Sequence, residues 1–224
     1  RAVVEISCFQ LLFVDAFRPH AAALLNVAED HLDVHGDIES YAEAKARIFE
    51  NMRGPEDVAV YRADDRRCAA AVDASAARQA PFGPTPEVLA YWSTRSLPVL
   101  GVHNVLNAEA AVLLAEADGI PRDVAADALT SYRPLPHRME LVLDDPRTGV
   151  RWINDSKATN PNATTAALNA MVRPTILLAG GSVKDADFAD LGRLIRSRTT
   201  HAILFGSTQQ ALADAIGPGH PVVC

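Results

Sequence analysis

Apolar runs alternate with longer amphipathic stretches along the whole chain. Short apolar runs at Val3–Ile6, Ala22–Val27, Val58–Tyr61, Val150–Asn154, Thr175–Leu178 and Ala202–Phe205 predict strands. Several are continuous and β-branched, as in strands buried on both faces. Apolar positions at helical spacing predict helices over Tyr41–Met52, Val105–Asp118, Arg122–Ser131, Thr164–Met171, Ala189–Ser197 and Gln209–Ile216. The second of these stops at Gly119 with Pro121 beyond, a normal C-terminal signal. Strand–helix alternation of this kind implies an α/β fold with a mostly parallel sheet. Pro134 and Pro136 break the pattern, and a strand–turn–strand signal follows at Leu141–Leu143 and Val150–Asn154. The expected boundary therefore divides 1–134 from 135–224. Residues Asp73–Glu87, rich in Ala, Pro and Gly, read as a loop or insert. Val3–Ile6 at one end and Pro221–Cys224 at the other both read as core strands, so the sequence is expected to be an internal piece of a longer protein.

Composition narrows the function. The 224 residues are 49% hydrophobic and 22% charged, an ordinary globular balance with room for one large or two smaller domains. A formal charge of −7 argues against nucleic-acid binding, which needs a basic face. It leaves open a small anionic ligand held by a few lysines and backbone N–H groups. No apolar run approaches the ~18 residues of a membrane span. Cys8, Cys68 and Cys224 are odd in number and far apart, which indicates neither a disulfide framework nor a zinc knuckle and fits a reducing cytoplasm.

Several clusters carry candidate chemistry. Ser40 and Glu43 form a capping-box pattern at the start of the first helix. Its apolar stripe is Tyr41, Ile48, Phe49 and Met52, and Lys45 falls inside that stripe. Such a lysine either snorkels to the helix edge or is a buried amine of depressed pKa, able to take up carbon dioxide as a carbamate that ligates a hard cation. Glu29, Asp30, His31, Asp33 and His35 follow a buried strand, where α/β proteins bind ligands; acids decorating a helix N-terminus give the same pattern. Glu5 reads as a carboxylate in or beside a buried strand, a placement that calls for a partner or a task. Asn154-Asp155-Ser156-Lys157-Ala158-Thr159-Asn160 offers a charge and hydroxyls to an anion, or is a polar loop capped by Thr164. Gly180 and Gly181 permit close backbone approach, with Lys184 three residues on. His137 and Arg138 stand at the expected hinge, a common ligand position. No Gly-x-x-x-x-Gly-Lys-Ser/Thr motif occurs, so if ATP is used its phosphate loop is expected upstream of Arg1.

Seven segments in order resemble the Mur ligase family. They are 4–10 (VEISCFQ), 26–33 (NVAEDHLD), 41–48 (YAEAKARI), 103–108 (HNVLNA), 135–138 (LPHR), 154–160 (NDSKATN) and 180–188 (GGSVKDADF). The segment at 154–160 is similar to the member that adds D-glutamate. The resemblance implies a truncated central P-loop-type ATPase domain at 1–134 and most of a Rossmann-like C-terminal domain at 135–224. It implies ATP-dependent joining of D-glutamate to UDP-N-acetylmuramoyl-L-alanine through an acyl phosphate, by a cytoplasmic monomer that binds neither nucleic acid nor membrane. Glu5 and His31 would then hold Mg2+, with Lys45 carbamylated beside them and Ser7 near the substrate. Asn107 would meet adenine, with Asn104 one turn earlier. Arg138 and Asp155 would lie around ribose and phosphates with His137 beside them, and Lys157 would approach the terminal phosphate. Thr159 and Lys184, next to Ser156, would hold the glutamate carboxylates. Cys8 departs from the serine usual there. The alternatives are another ligase of the superfamily, such as a folate polyglutamylating enzyme, or a degenerate paralogue that only binds. The 224 residues alone are expected to lack ligase activity.

Overall fold

A computed structural model describes residues 1–182 and 187–224. The chain divides into two compact units, Arg1–Pro98 with Val102–Tyr132, and Val99–Gly101 with Arg133–Cys224.

In the first unit the order is α1 (Cys8–Leu11), β1 (Ala21–Leu24), α2 (Leu32–His35), α3 (Ile38–Ala46), a 3-10 turn (Arg47–Phe49), β2 (Val58–Arg62), α4 (Arg66–Ala70), β3 (Arg78–Phe82), α5 (Pro86–Ser93), α6 (Val102–Ala117) and α7 (Arg122–Leu129). The three strands form a parallel sheet in the order β1-β2-β3. Successive side chains of a strand point to opposite faces. Ala22, Leu24 and Ala59 accordingly pack with Tyr41, Phe49, Met52 and Cys68 on one side. Val58, Val60, Ala80 and Phe82 pack with Leu106 and Ala110 of α6 on the other. The sheet is thus buried on both faces, and this is where the core of the unit sits.

In the second unit β4 (Glu140–Asp144) and β5 (Arg151–Asn154) form an antiparallel pair with an irregularity between Leu141 and Leu143. Then follow α8 (Pro161–Ala170), β6 (Thr175–Gly181), α9 (Ala189–Arg198), β7 (Thr199–Gly206), α10 (Gln209–Ile216) and β8 (Val222–Val223). β6, β7 and β8 form a second parallel sheet. All three helices pack on one face of it, through Leu168, Leu191, Ile195, Ala202, Leu204, Leu212 and Ile216. Ile176, Leu178, Phe205 and Val223, on the opposite face, are half exposed. The expectation of strands buried on both faces therefore fails for β6 and β7. Gly180 is fixed by its neighbour strand, because a Cβ there would lie 1.9 Å from the Phe205 carbonyl oxygen.

Three further expectations are corrected. Val3–Ile6 forms no strand: it pairs with no strand among the described residues, and Val3 and Glu5 are exposed. The first predicted helix starts at Ile38, because the Asp37 carboxylate, and not Ser40, caps it by accepting from the Ser40 N–H. The presumed insert contains strand β3; its Pro81 is tolerated because β3 is an edge strand. Among the described residues no helix is long and apolar enough to cross a membrane.

Candidate functional site

In the first unit the structure brings His31 and Lys45 together around the Tyr41 ring. Lys45 is half-buried; its Nζ lies 5.0 Å from the centroid of the Tyr41 ring and 3.4 Å from the Asn26 carbonyl oxygen. Tyr41 is one helical turn earlier, so the ring and the amine share a face. Burial pushes the Lys45 ammonium below its ordinary value, against the opposing pull of Cys8, Cys68, Asp30 and Asp65. The half-buried amine is thus partly desolvated. Burial also pushes the Tyr41 phenol up to about 12 and the Cys68 thiol up to about 12. Both groups are neutral at physiological pH and serve as packing.

His31 stands at the N-cap of α2 in the left-handed region, φ 55°, an uncommon conformation for a residue with a side chain. Its N–H donates to Asp30 Oδ1 at 3.0 Å. Its ring meets Phe9 edge-on at 4.9 Å and Tyr41 at 6.4 Å between centroids. His35 lies between the same two rings, 5.8 Å from Phe9 and 5.2 Å from Tyr41. Lys45 and His31 thus share the Tyr41 ring as a neighbour. Ser7 caps α1, accepting from the Gln10 N–H while Gln10 Oε1 accepts from the Ser7 N–H, a complete capping box. Glu5 precedes it on exposed backbone, contrary to the expected buried strand. Among the described residues no three His, Cys, Asp or Glu side chains are arranged to hold a metal ion. A hard cation takes oxygen donors. Lys45 could supply one only as a carbamate. As an ammonium it repels the ion. Asn104 and Asn107 lie on the first turns of α6, with Asn107 Nδ2 3.4 Å from Asn104 Oδ1.

In the second unit two loops are laced together. The Lys157 N–H donates to the His137 carbonyl oxygen at 3.1 Å, and the Met139 N–H donates to Asp155 Oδ1 at 3.0 Å. Asn154 Nδ2 lies 2.8 Å from His137 Nδ1, and the His137 N–H donates to Glu140 Oε2 at 2.8 Å. His137 and Met139 both take positive φ, 68° and 48°, a conformation that side chains seldom adopt. These hydrogen bonds hold it. Asp155 is therefore committed to the backbone, while the side chains of Arg138, Ser156, Lys157 and Thr159 are exposed beside it. Asn160, not Thr164, caps α8 by accepting from the Ala163 N–H. The positive end of that helix consequently sits directly after the loop. Lys184 lies outside the described residues.

Sequence reasoning missed the bonds of Arg47 and Asn51 to carbonyls more than 30 residues away, for which no local pattern gives a signal.

The chain thus carries two α/β units in tandem, one with a partly desolvated lysine above an aromatic ring and one with a polar Asp-Ser-Lys loop followed by a capped helix. The Mur ligase middle domain matches residues 1–96 and the Mur ligase glutamate ligase domain matches residues 137–224. The chain belongs to the Mur ligase family. It is 38% identical over 215 residues to a UDP-N-acetylmuramoylalanine--D-glutamate ligase of Nitratidesulfovibrio vulgaris, a match covering 95% of this chain and 47% of that protein. The chain thus spans about half the length of the curated relatives it matches. The fold resembles MurF from Acinetobacter baumannii, with TM-score 0.76 and 22% identity over 92% of this chain and 50% of that one. It also resembles MurF ligase from Thermotoga maritima in complex with ADP, with TM-score 0.68 and 18% identity over 92% of this chain and 53% of that one.

Proposed function

We propose that this chain forms the nucleotide- and amino-acid-handling part of a cytoplasmic, monomeric ligase that joins D-glutamate to UDP-N-acetylmuramoyl-L-alanine at the expense of ATP. The observation that carries the reading is the 38% identity, over 95% of the chain, to a relative named for that reaction. The half-buried Lys45 and the laced loop of the second unit support it.

In this reaction the terminal phosphoryl group of ATP passes to the free carboxylate of the muramoyl-alanine substrate, and ADP leaves. The amine of D-glutamate attacks the resulting acyl phosphate. The C–O bond to phosphate breaks, the nitrogen loses a proton, and an amide and inorganic phosphate remain. Catalysis here is mainly positioning and charge compensation. Mg2+, when bound, would offset the charge of the reacting anions, held by Glu5 and His31 with Lys45 as its carbamate. Asn104 and Asn107 are proposed to meet adenine. Arg138, with His137 beside it, is proposed to face ribose and phosphates, and Asp155 to shape the loop that presents Lys157 to the terminal phosphate. Thr159, Ser156 and Lys184 are proposed to receive the carboxylates of D-glutamate; an exposed hydroxyl followed by a capped helix N-terminus suits an anion. Arg138, Ser156 and Lys157 lie on backbone held by hydrogen bonds, which lowers the backbone part of the ordering cost on binding.

The test is phosphate release by the complete gene product given ATP, Mg2+ and UDP-N-acetylmuramoyl-L-alanine, with D-glutamate, L-glutamate, L-alanine and lysine offered separately. Release with D-glutamate alone supports the reading. Release with another acceptor reassigns the amino acid, and release with none of them contradicts the proposal.

A further inference from the structure

We propose that Arg47 and Asn51 are positioning residues that clamp the segment from Ser7 to Phe17 onto the helix bearing Lys45. The inference rests on the ligase reading above, in which Ser7 and Lys45 serve one reaction. α1 has four residues, and a helix so short has no stability of its own. Its last carbonyls, those of Cys8, Gln10 and Leu11, accept from the N–H groups of Leu12, Phe13 and Val14 in the turn that follows. Beyond it, residues 12–20 form neither helix nor strand, so their carbonyls need donors from elsewhere.

Those donors come from the turn that continues α3 and the residues just after it. Arg47 Nη1 donates to the Leu12 carbonyl oxygen at 2.5 Å and Nη2 to that of Val14 at 2.7 Å, while Nε donates to Glu50 Oε2 at 2.8 Å. Asn51 Nδ2 lies 2.6 Å from the Asp15 carbonyl oxygen and 3.1 Å from that of Phe17. Arg47 opens the 3-10 turn and Asn51 follows it, and the side chains of both reach the same segment. Arg47 is also two residues after Lys45 on the same continuous backbone. Two side chains therefore bind four carbonyls of a segment more than 30 residues away. The other end of the clamp is apolar: Cys8 and Leu11 of α1 are buried, and Cys8 joins the cluster that holds Tyr41. Ser7, which caps α1, and Tyr41, which underlies Lys45, are in this way tied to one another. The planar fork of a guanidinium serves two carbonyls at once; an ammonium on a flexible stem does not.

Backbone hydrogen exchange of the chain tests the clamp. In Arg47→Lys, and separately in Asn51→Ala, the amides of Leu11, Leu12, Phe13 and Val14 are expected to exchange roughly tenfold faster, about what one net hydrogen bond is worth. Amides of β2 are expected to keep their protection, which confirms that the variants fold. Unchanged exchange at Leu11–Val14 in both variants overturns the clamp. In the complete gene product, Arg47→Lys is expected to lower kcat for phosphate release about tenfold and leave the KM for ATP unchanged. An active wild type with an unaltered Arg47→Lys kcat overturns the positioning role and leaves the ligase reading standing. An inactive wild type overturns that reading and with it the positioning role, whatever exchange reports.

Discussion

Lys45 and Lys157 are carried by the two units in opposite ways. Lys45 sits on a helix, half-buried over Tyr41, and its surroundings act on the side chain itself by lowering its pKa. Lys157 sits in a loop with its side chain exposed, and the surroundings act on its backbone through the His137 carbonyl. The first arrangement tunes the chemistry of an amine. The second fixes where a cation begins while leaving its tip free to follow a ligand. A charge that must be neutralised or modified suits the first; a charge that must reach a phosphate suits the second.

The sharpest way to break this comparison is to remove the tuned amine. Lys45→Ala in the complete gene product is expected to lower phosphate release by roughly 100-fold, the scale of a lost positioning contact, and added carbon dioxide is expected not to restore it. Full activity would mean that Lys45 is only a snorkelling surface residue. Loosening the loop comes next. Asp155→Ala leaves the Met139 N–H without its acceptor and is expected to cost the second unit about 1.5–3 kcal/mol by denaturant unfolding. Asn160→Ala removes the cap of α8 and is expected to cost about 1 kcal/mol in the same assay. Two apolar positions sharpen the contrast between the sheets. Val60→Ala, at a fully buried site in β2, is expected to cost about 1–3 kcal/mol, and Ile176→Thr, on the exposed face of β6, within about 0.5 kcal/mol of zero.

Much of this was legible before any coordinates. Lys45 stood on an apolar stripe because helical spacing is strict, and β1 and β2 were visible because both faces of their sheet are buried. What the sequence concealed has physical causes. Asp37 and Ser40 are both good capping residues, and only the backbone conformation decides between them. β3 carries Arg78, Gln79 and Pro81, a composition that an edge strand permits but that masks the strand signal. Val3–Ile6 has strand-forming residues, but a strand exists only with a neighbour to bond. The helices of the second unit all choose one face of their sheet, and no periodicity in the strands announces that. Arg47 and Asn51 act on carbonyls far away in sequence, which no local pattern encodes.

The titration of Lys45 carries a sign that can be checked. Its pKa is lowered in the folded chain, so the folded state releases this proton before the unfolded state does. Below the lowered value the buried charge costs stability; between that value and 10.5 rising pH relieves the cost. Lys45→Met is accordingly expected to be more stable than wild type at neutral pH, by a margin that shrinks as pH approaches 10.5. A margin that does not change over that interval would sink this linkage.

The account rests on burial acting on that one amine, and it can be measured directly. With lysines labelled at the ε-carbon, only three resonances are expected, and Lys45→Arg identifies the one of interest. The account predicts a titration midpoint for Lys45 clearly below 10.5 in the folded chain, returning toward 10.5 in Tyr41→Ala. A midpoint at or above 10.5 in the wild-type chain would contradict it.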